Sequence, residues 1–532
     1  MSMGLVSAQD DLNDTMQADI LMADEVGSFE ELENAIINAN GTLEITKDYK
    51  NDNYSDGIRI EKDNLVINGN NHTIDGNGQN IFCIKGSNIT INNLVFKNAY
   101  YDFGGAIYND GALALNNVTF ADNIAGGIGG AIYNSGDIGL SGCVFADNCA
   151  GDAGGAIFNS GAIALSDCVF ADNCAAGAIY NIGDIYLDGC VFANNSAENT
   201  GGAISNFGGI DLRGCVFADN CAGAAAGAIY ADGYISLCDC VFADNCAGGA
   251  AGAIYVCDGA VVDSNNVYFA NNSAKEGGAI YARGNIALSG CGFADNVADL
   301  GGAIYILEMG GVGLNNVSFA DNSAERGGSV YNMGGGLDIC NTVITSKRSV
   351  KYGQIYSMLS TISIDNLTVV NIIAPYSPAI YADSSNLSIA NSRFVNLTAD
   401  VSAGAISARN GGDIYIENCE FINTTSSKNA GAIHIDILGR GSGAGNVTIL
   451  DTLFKNVCSD FGGAVIQLGG NLLLNGSDFI KNSATFDGGA MYLSHVNAQI
   501  NGCTFDSDSI GVFEDYPTYG GAIYSILRKV YP

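Results

Sequence analysis

The chain has 532 residues, 72 of them Gly, only 4 Pro and no Trp, and its 21 basic against 56 acidic side chains give a net charge of −35. A field of that sign repels phosphate backbones and anionic lipid surfaces, which excludes nucleic acid as a natural partner. Charged residues are only 14% of the total, too few for a disordered chain of this apolar content. Gly, Asn and Asp interrupt every hydrophobic stretch before the roughly 18 residues of a membrane-spanning helix, so no such segment is expected.

Residues 1–27 read as a leader remnant or flexible N-terminus. The opening MSMGLVSAQD resembles the end of a signal peptide, with small Ser7 and Ala8 where cleavage would fall, but lacks a basic region and a full apolar region. Residues 28–103 read as a cap and irregular first coils. Ser28 to Glu31 has the S-x-x-E capping pattern, and Phe29, Leu32 and Ile36 share one helical face that would cover the open first coil. Leu43 to Ile45, Ile58 to Ile60, Val66 to Ile67 and Ile89 to Ile91 supply the first short strands.

From 104 to 340 a regular unit recurs, as in GGAIYNSGDIGLSGCVFADNCA at 129–150, at a spacing near 25 residues. Residues 341–532 continue it less regularly and stop at GGAIYSILRKVYP, straight after a first strand, so the last coil is expected to be incomplete. Each unit holds three short apolar stretches, Ala131 to Tyr133, Ile138 to Leu140 and Cys143 to Phe145, separated by turn formers. No stretch between them suits a crossover helix. Three strands cannot bury an apolar face alone, but stacking each on its equivalent in the next coil makes a continuous core. The fold class predicted is all-β, a right-handed parallel β-helix of about twenty coils with a short N-terminal capping helix. The sixteen intervals from Gly105 to Gly521 would span about 77 Å at strand spacing. A leucine-rich repeat also fits Leu140, Cys143, Phe145 and Asn148, but that fold needs a return segment where this unit spends GDAGGAIFNSG on glycines and a further strand.

The residue after GA is Ile, Val or Met in all seventeen copies, so Ile107 and its equivalents face inward and Tyr108 and its equivalents outward. Phe recurs at 120, 145, 170 and onward, with Asn three residues later, which predicts an aromatic stack and a ladder of amides.

The pairing of GGAI with F-x-x-N resembles the repeats of chlamydial polymorphic outer-membrane proteins. It also resembles the adhesin-like proteins of methanogenic archaea, which is where the segments SFEELENAIINAN, LVINGNNHTIDGNG and NITINNLVFKNA are similar. The resemblance implies a β-helix displayed at a cell surface or secreted.

The enzymes that most often use this architecture are polysaccharide lyases and hydrolases, whose active sites need a local cluster of acids and bases. Carboxylates or amides stand two residues after each Phe, at Asp122, Asp147, Asp172 and so on, but in every coil alike, whereas a catalytic pair should break the repeat. The histidines are only His72, His434 and His495, and the densest basic group, Lys347, Arg348 and Lys351, reads as a solvated loop. The Asp column invites Ca²⁺, since carboxylates at strand spacing repel unless a cation or water intervenes; no other cofactor is expected. Seventeen cysteines fall mainly in two columns, one before Phe (Cys143, Cys168, Cys190) and one after it (Cys149, Cys174, Cys221, Cys246). Packed free thiols are the simpler reading, because parallel side chains hold their Cβ atoms farther apart than a bridge prefers, but equivalent Cα atoms about 4.8 Å apart lie within disulfide range, so free and bridged forms both stay open. A zinc site is not expected, with only Cys238 and Cys240 close together. Sequons such as Asn117-Val118-Thr119 would mark a glycosylated exterior.

The expected function is binding or adhesion without catalysis, through cell-surface glycans or proteins of another cell. The alternatives are a polysaccharide lyase or hydrolase and an inert stalk. The candidate binding stripe is the outward aromatic column, Tyr in twelve of seventeen copies, represented by Tyr230, Tyr255, Tyr281 and Tyr305 with exposed phenols.

Overall fold

In the computed structural model the described residues are 26–526, apart from 309, 349, 438–444 and 512–517. The leader-like segment and the final residues lie outside them. The helix forms at Phe29–Asn38, where the Ser28 hydroxyl accepts from the Glu31 amide at 3.2 Å and Phe29, Leu32 and Ile36 are buried. The reciprocal half of the capping pattern is not made, because the Glu31 carboxylate pairs with Lys47 at 2.8 Å.

Beyond the helix the described chain is a parallel β-solenoid. The first strands of successive coils, from Ile58–Ile60 to Ile523–Ile526, form one face of nineteen parallel strands. Eighteen intervals at strand spacing put this face at about 86 Å along the axis. The register is set by identity: Ile132 lies opposite Ile107 and Ile157, Leu140 opposite Leu115 and Leu165, Phe145 opposite Phe120 and Phe170. A slip of one residue would turn every inward aliphatic out to water, so burial fixes the alignment.

Second and third strands, Asp137–Ser141 and Val144–Ala146 in one coil, belong to a single sheet. At Gly336–Thr345 and Thr361–Val370 they run on as one strand. The corner between them needs a left-handed backbone, which Asn117, Gly142, Asp167 and Gly189 adopt with φ between +52° and +64°. A fourth short strand, Cys149–Ala150 in this coil, follows F-x-x-N and builds a third face that the three-strand reading omitted. The paired glycines before Ala-Ile have separate reasons. Gly129 has φ +71°, and a Cβ on Gly130 would collide with the Gly155 carbonyl oxygen of the next coil.

The core is a set of columns. Phe rings from Phe96 to Phe319 stack at centroid separations of 4.7 to 5.2 Å, all buried. The amide ladder runs beside them. In each coil the side-chain amide donates to its equivalent one coil on and to a Phe carbonyl: Asn195 Nδ2 reaches Asn220 Oδ1 at 3.0 Å and Phe170 O at 2.9 Å. The ladder holds from Asn123 to Asn322 with every member buried. A second buried ladder, Asn109 to Asn206, follows the Tyr of the first strand and was not anticipated. These amides satisfy polar backbone that a sealed interior leaves without water.

Asn195→Ala removes two donated bonds and leaves the Asn173 amide and side chain facing an absent acceptor. It should cost about 2–4 kcal/mol and accelerate hydrogen exchange in the coils on both sides. Asn117→Gly, on the exposed corner, keeps the left-handed backbone and should leave the denaturation midpoint nearly unchanged; equal losses in the two variants would contradict the ladder's role.

Candidate functional site

The tyrosine column exists, but from Tyr281 to Tyr381 it is closed. Rings of Tyr230, Tyr255, Tyr281 and Tyr305 stack at 5.6, 4.9 and 4.9 Å and continue through Tyr331, Tyr356 and Tyr381. Tyr281 and Tyr305 are only 7% and 5% exposed, and Tyr230 and Tyr255 are half-buried. The side chains point away from the solenoid interior as alternation requires. The turn segments on either side fold over them, and Ala251, Leu300, Leu307 and Met333 close a second apolar cluster outside the cylinder. The expectation of exposed phenols therefore fails at Tyr281 and Tyr305. Burial also pushes the Tyr281 phenol up to about 12.

The column is interrupted at Ser407 and His434, which lie opposite each other in adjacent first strands. His434 is buried with Nδ1 unpartnered, and burial with the nearby Arg409 charge lowers its pKa to about 4. No catalytic pair is formed: the Ser407 hydroxyl accepts from Ser402 at 3.5 Å, and no Ser407–His434 hydrogen bond occurs.

The Asp column has a backbone reason. Asp122, Asp147, Asp172, Asp219, Asp244, Asp295 and Asp321 all sit at φ between +52° and +57°, a left-handed corner that Asp and Asn tolerate best. Burial and the neighbouring Asp172 and Asp122 carboxylates raise Asp147, and burial with Asp244 raises Asp219. Among the described residues no group of three or more His, Cys, Asp or Glu side chains is arranged to hold a metal ion, Ca²⁺ included. The basic group is engaged by acids of earlier coils: Arg348 with Asp295 at 2.8 Å, Lys351 with Glu325 at 3.0 Å, and the Lys347 amide with Asp321 at 2.6 Å.

The two cysteine columns differ. Cys143, Cys168, Cys190, Cys215 and Cys240 are buried free thiols, as expected. In the other column Cys149 is bonded to Cys174 and Cys221 to Cys246, so of the two forms left open by the spacing these cysteines take the bridged one. The Cα atoms are 4.7 Å apart in both pairs, inside the range a bridge spans, and on the two-residue fourth strands the sulfurs turn along the stack toward each other.

The open concave surface lies elsewhere, on the outer side of the second strands. One outward column there reads Ala114, Gly139, Ala164, Tyr186, Asp211, Ser236, Asp263, Ala287, Gly313, Asp338, Ser363, Ser388 and Tyr415 in register. Where it carries small residues the face sinks into a furrow. One part, of about 540 Å³, runs over Ala114, Gly139 and Ala164 and ends at Tyr186. The other, of about 640 Å³, runs from Ser236 to Ser363 and Asp365. Between them stand Asp211 and Arg213, ion-paired at 3.3 Å, with Arg213 over the Tyr186 ring. The signal was present in the sequence: the middle residue of each I-x-L strand is the outward one, and a run of Ala, Gly and Ser there marks a depression.

A family model described as the Chlamydia polymorphic membrane protein repeat matches residues 117–135 and 266–283. Both segments contain F-x-x-N followed by GGAI, from Phe120 to Ile132 and from Phe269 to Ile280. No curated protein matches the chain. Among solved structures it is similar to one described as a new PL6 alginate lyase complex with trisaccharide, at 12% identity and a TM-score of 0.30, over 67% of this chain and 88% of that one. A likeness at that score carries no argument about activity. Among the described residues no helix is long and apolar enough to cross a membrane.

If His434 is held neutral by burial, its contribution to stability follows a definite sign. Below pH 6.5 the unfolded chain takes up a proton that the folded chain refuses until about pH 4. Stability from this residue is whole above pH 6.5 and falls by up to about 3 kcal/mol as pH drops toward 4. His434→Ile, the residue that Ile466 supplies one coil on, should flatten that acid-side loss in denaturant titrations at several pH values. Parallel pH profiles for parent and variant would contradict it. The chain is a parallel β-helix repeat protein whose repeats resemble those of chlamydial polymorphic membrane proteins, and that likeness points to a surface or outer-membrane type of protein.

Proposed function

We propose that this protein is an adhesin-like rod, secreted or displayed at a cell surface, that binds glycans or proteins of another cell and catalyses no reaction. The observation that carries this reading is the furrowed outer face of the second strands, repeated coil after coil on a scaffold whose strands pair with those of the adjoining coils. A solenoid holds such a face rigid over its length, so recognition incurs little ordering entropy. The resemblance of its repeats to a membrane-protein family supports the surface placement. Two disulfides between half-buried positions suit an oxidising, extracytoplasmic compartment. The tyrosine column serves this function as reinforcement: it thickens the wall of the rod, and the recognition surface lies on the neighbouring face.

The experiment is to probe the whole chain on a glycan array and on intact cells, with reducing-sugar and unsaturated-product assays run on every glycan bound. Binding without turnover is the expected result. Turnover would replace the adhesin by a polysaccharide-processing enzyme, and absence of binding to both glycans and cells would leave a structural stalk.

A further inference from the structure

The furrow between Ser236 and Asp365 allows the ligand class to be argued. Its lining spans six successive coils, which is about 24 Å along the axis, and its volume of about 640 Å³ lies within the usual range of ligand sites. The floor is Ala287 and Gly313, both without a projecting side chain, and a Cβ on Gly313 would meet nothing nearer than 4.0 Å. Three exposed carboxylates, Asp263, Asp338 and Asp365, rise from it, and Ser and Asn side chains alternate between them. No Lys, Arg or His lines the furrow, and no aromatic ring does.

Each feature removes a class of ligand. Three carboxylates without a cation, in a chain of net charge −35, repel uronates and sulfated or phosphorylated polymers. The second strands are interior to a sheet, hydrogen-bonded to coils on both sides, so a peptide cannot add itself as a further strand. Without aromatic or Arg anchors the furrow also lacks the groups that dominate protein interfaces. What remains is a ligand rich in hydroxyl donors with a flat apolar underside. Carboxylates accept from hydroxyls, and Ser and Asn both accept and donate. Asp263 already accepts from the Tyr234 hydroxyl at 3.0 Å, and Asp365 from Asn391 Nδ2 at 2.6 Å, which hold those carboxylates in place while leaving acceptor capacity toward the furrow.

We propose that this furrow binds one strand of an uncharged linear polysaccharide laid along the solenoid axis, with Asp263, Asp338 and Asp365 accepting from its hydroxyls and Ala287 and Gly313 underlying its apolar face. This rests on the binding reading above and names its ligand.

The test uses the full chain in calorimetric titrations with cello-, xylo- and manno-hexaose as uncharged probes, an alginate hexamer as the anionic probe and a chitosan hexamer as the cationic one. At least one uncharged hexamer should bind, with affinity unchanged from about 50 to about 500 mM salt. Gly313→Tyr, which fills the furrow with a residue the same column carries at Tyr186 and Tyr415, should weaken that binding by roughly tenfold or more. Ile124→Tyr, at an exposed position on the face of the fourth strands and away from the furrowed face, should leave it within about twofold. The proposal is overturned if no uncharged hexamer binds, if chitosan or alginate binds in preference, or if Gly313→Tyr binds as the parent does. Adhesion to cells that survives Gly313→Tyr would sink the furrow assignment while leaving the adhesin reading intact. Hydrolysis of a bound hexamer would do the reverse.

Discussion

Each coil of this protein satisfies its backbone in the coils above and below it, at one strand spacing, and nearly everything else in the structure follows from that constraint. Because the partner of each residue is its own equivalent, a side chain that suits one coil must tolerate a copy of itself at about 4.8 Å. Phe meets this by parallel stacking, Asn by donating its amide along the column, and Ile and Leu by simple interdigitation. Asp meets it only at exposed corners, and even there partial burial, with the neighbouring carboxylates, raises Asp147 and Asp219. The repetition of the sequence is the chemical consequence of the repetition of the contact.

The same constraint separates structure from recognition. Inward positions are held to a narrow set, because a cavity or an orphaned amide propagates to two neighbours. Outward positions on the second strands are free of that demand and vary from Gly139 to Tyr186 within a few coils. A binding surface is therefore written where packing is silent, as depressions and posts on a face whose backbone does not move. The tyrosine column from Tyr281 to Tyr381 is the opposite case: although outward, it is covered by the turn segments and has become a second core. There the ring stack supports Arg326 and Arg409, whose guanidinium groups lie over Tyr356 and Tyr381.

The chemistry of the turns shows how one residue type can mislead. Asp two positions after Phe looks like a ladder of ligands when only its charge is considered. Its backbone stands in the left-handed region in every regular coil, so the choice between Asp and Asn is first a matter of conformation. The cysteines make the complementary point. Cys143 and Cys149 are six residues apart in the same coil, yet one is a sealed thiol beside the Phe stack and the other is bridged to the next coil at a half-buried edge.

Periodicity alone was enough to establish the solenoid, the inward Ile, Leu and Phe columns, the amide ladder after Phe and the capping helix, because each depends on spacing and on the period-2 alternation of a strand. Covering was not legible. Whether Tyr281 is exposed depends on how segments a coil away in either direction, around Ala251 and Leu300, fold across it. The bridges at Cys149 and Cys221 depend on side-chain rotation at a fourth strand too short to show a period. The furrow needed both sources: the sequence contained its small residues, in the middle of each I-x-L, and stacking turned letters about 25 positions apart into one continuous depression. Local alternation determines which way a side chain points; only the assembled coils decide what it meets there.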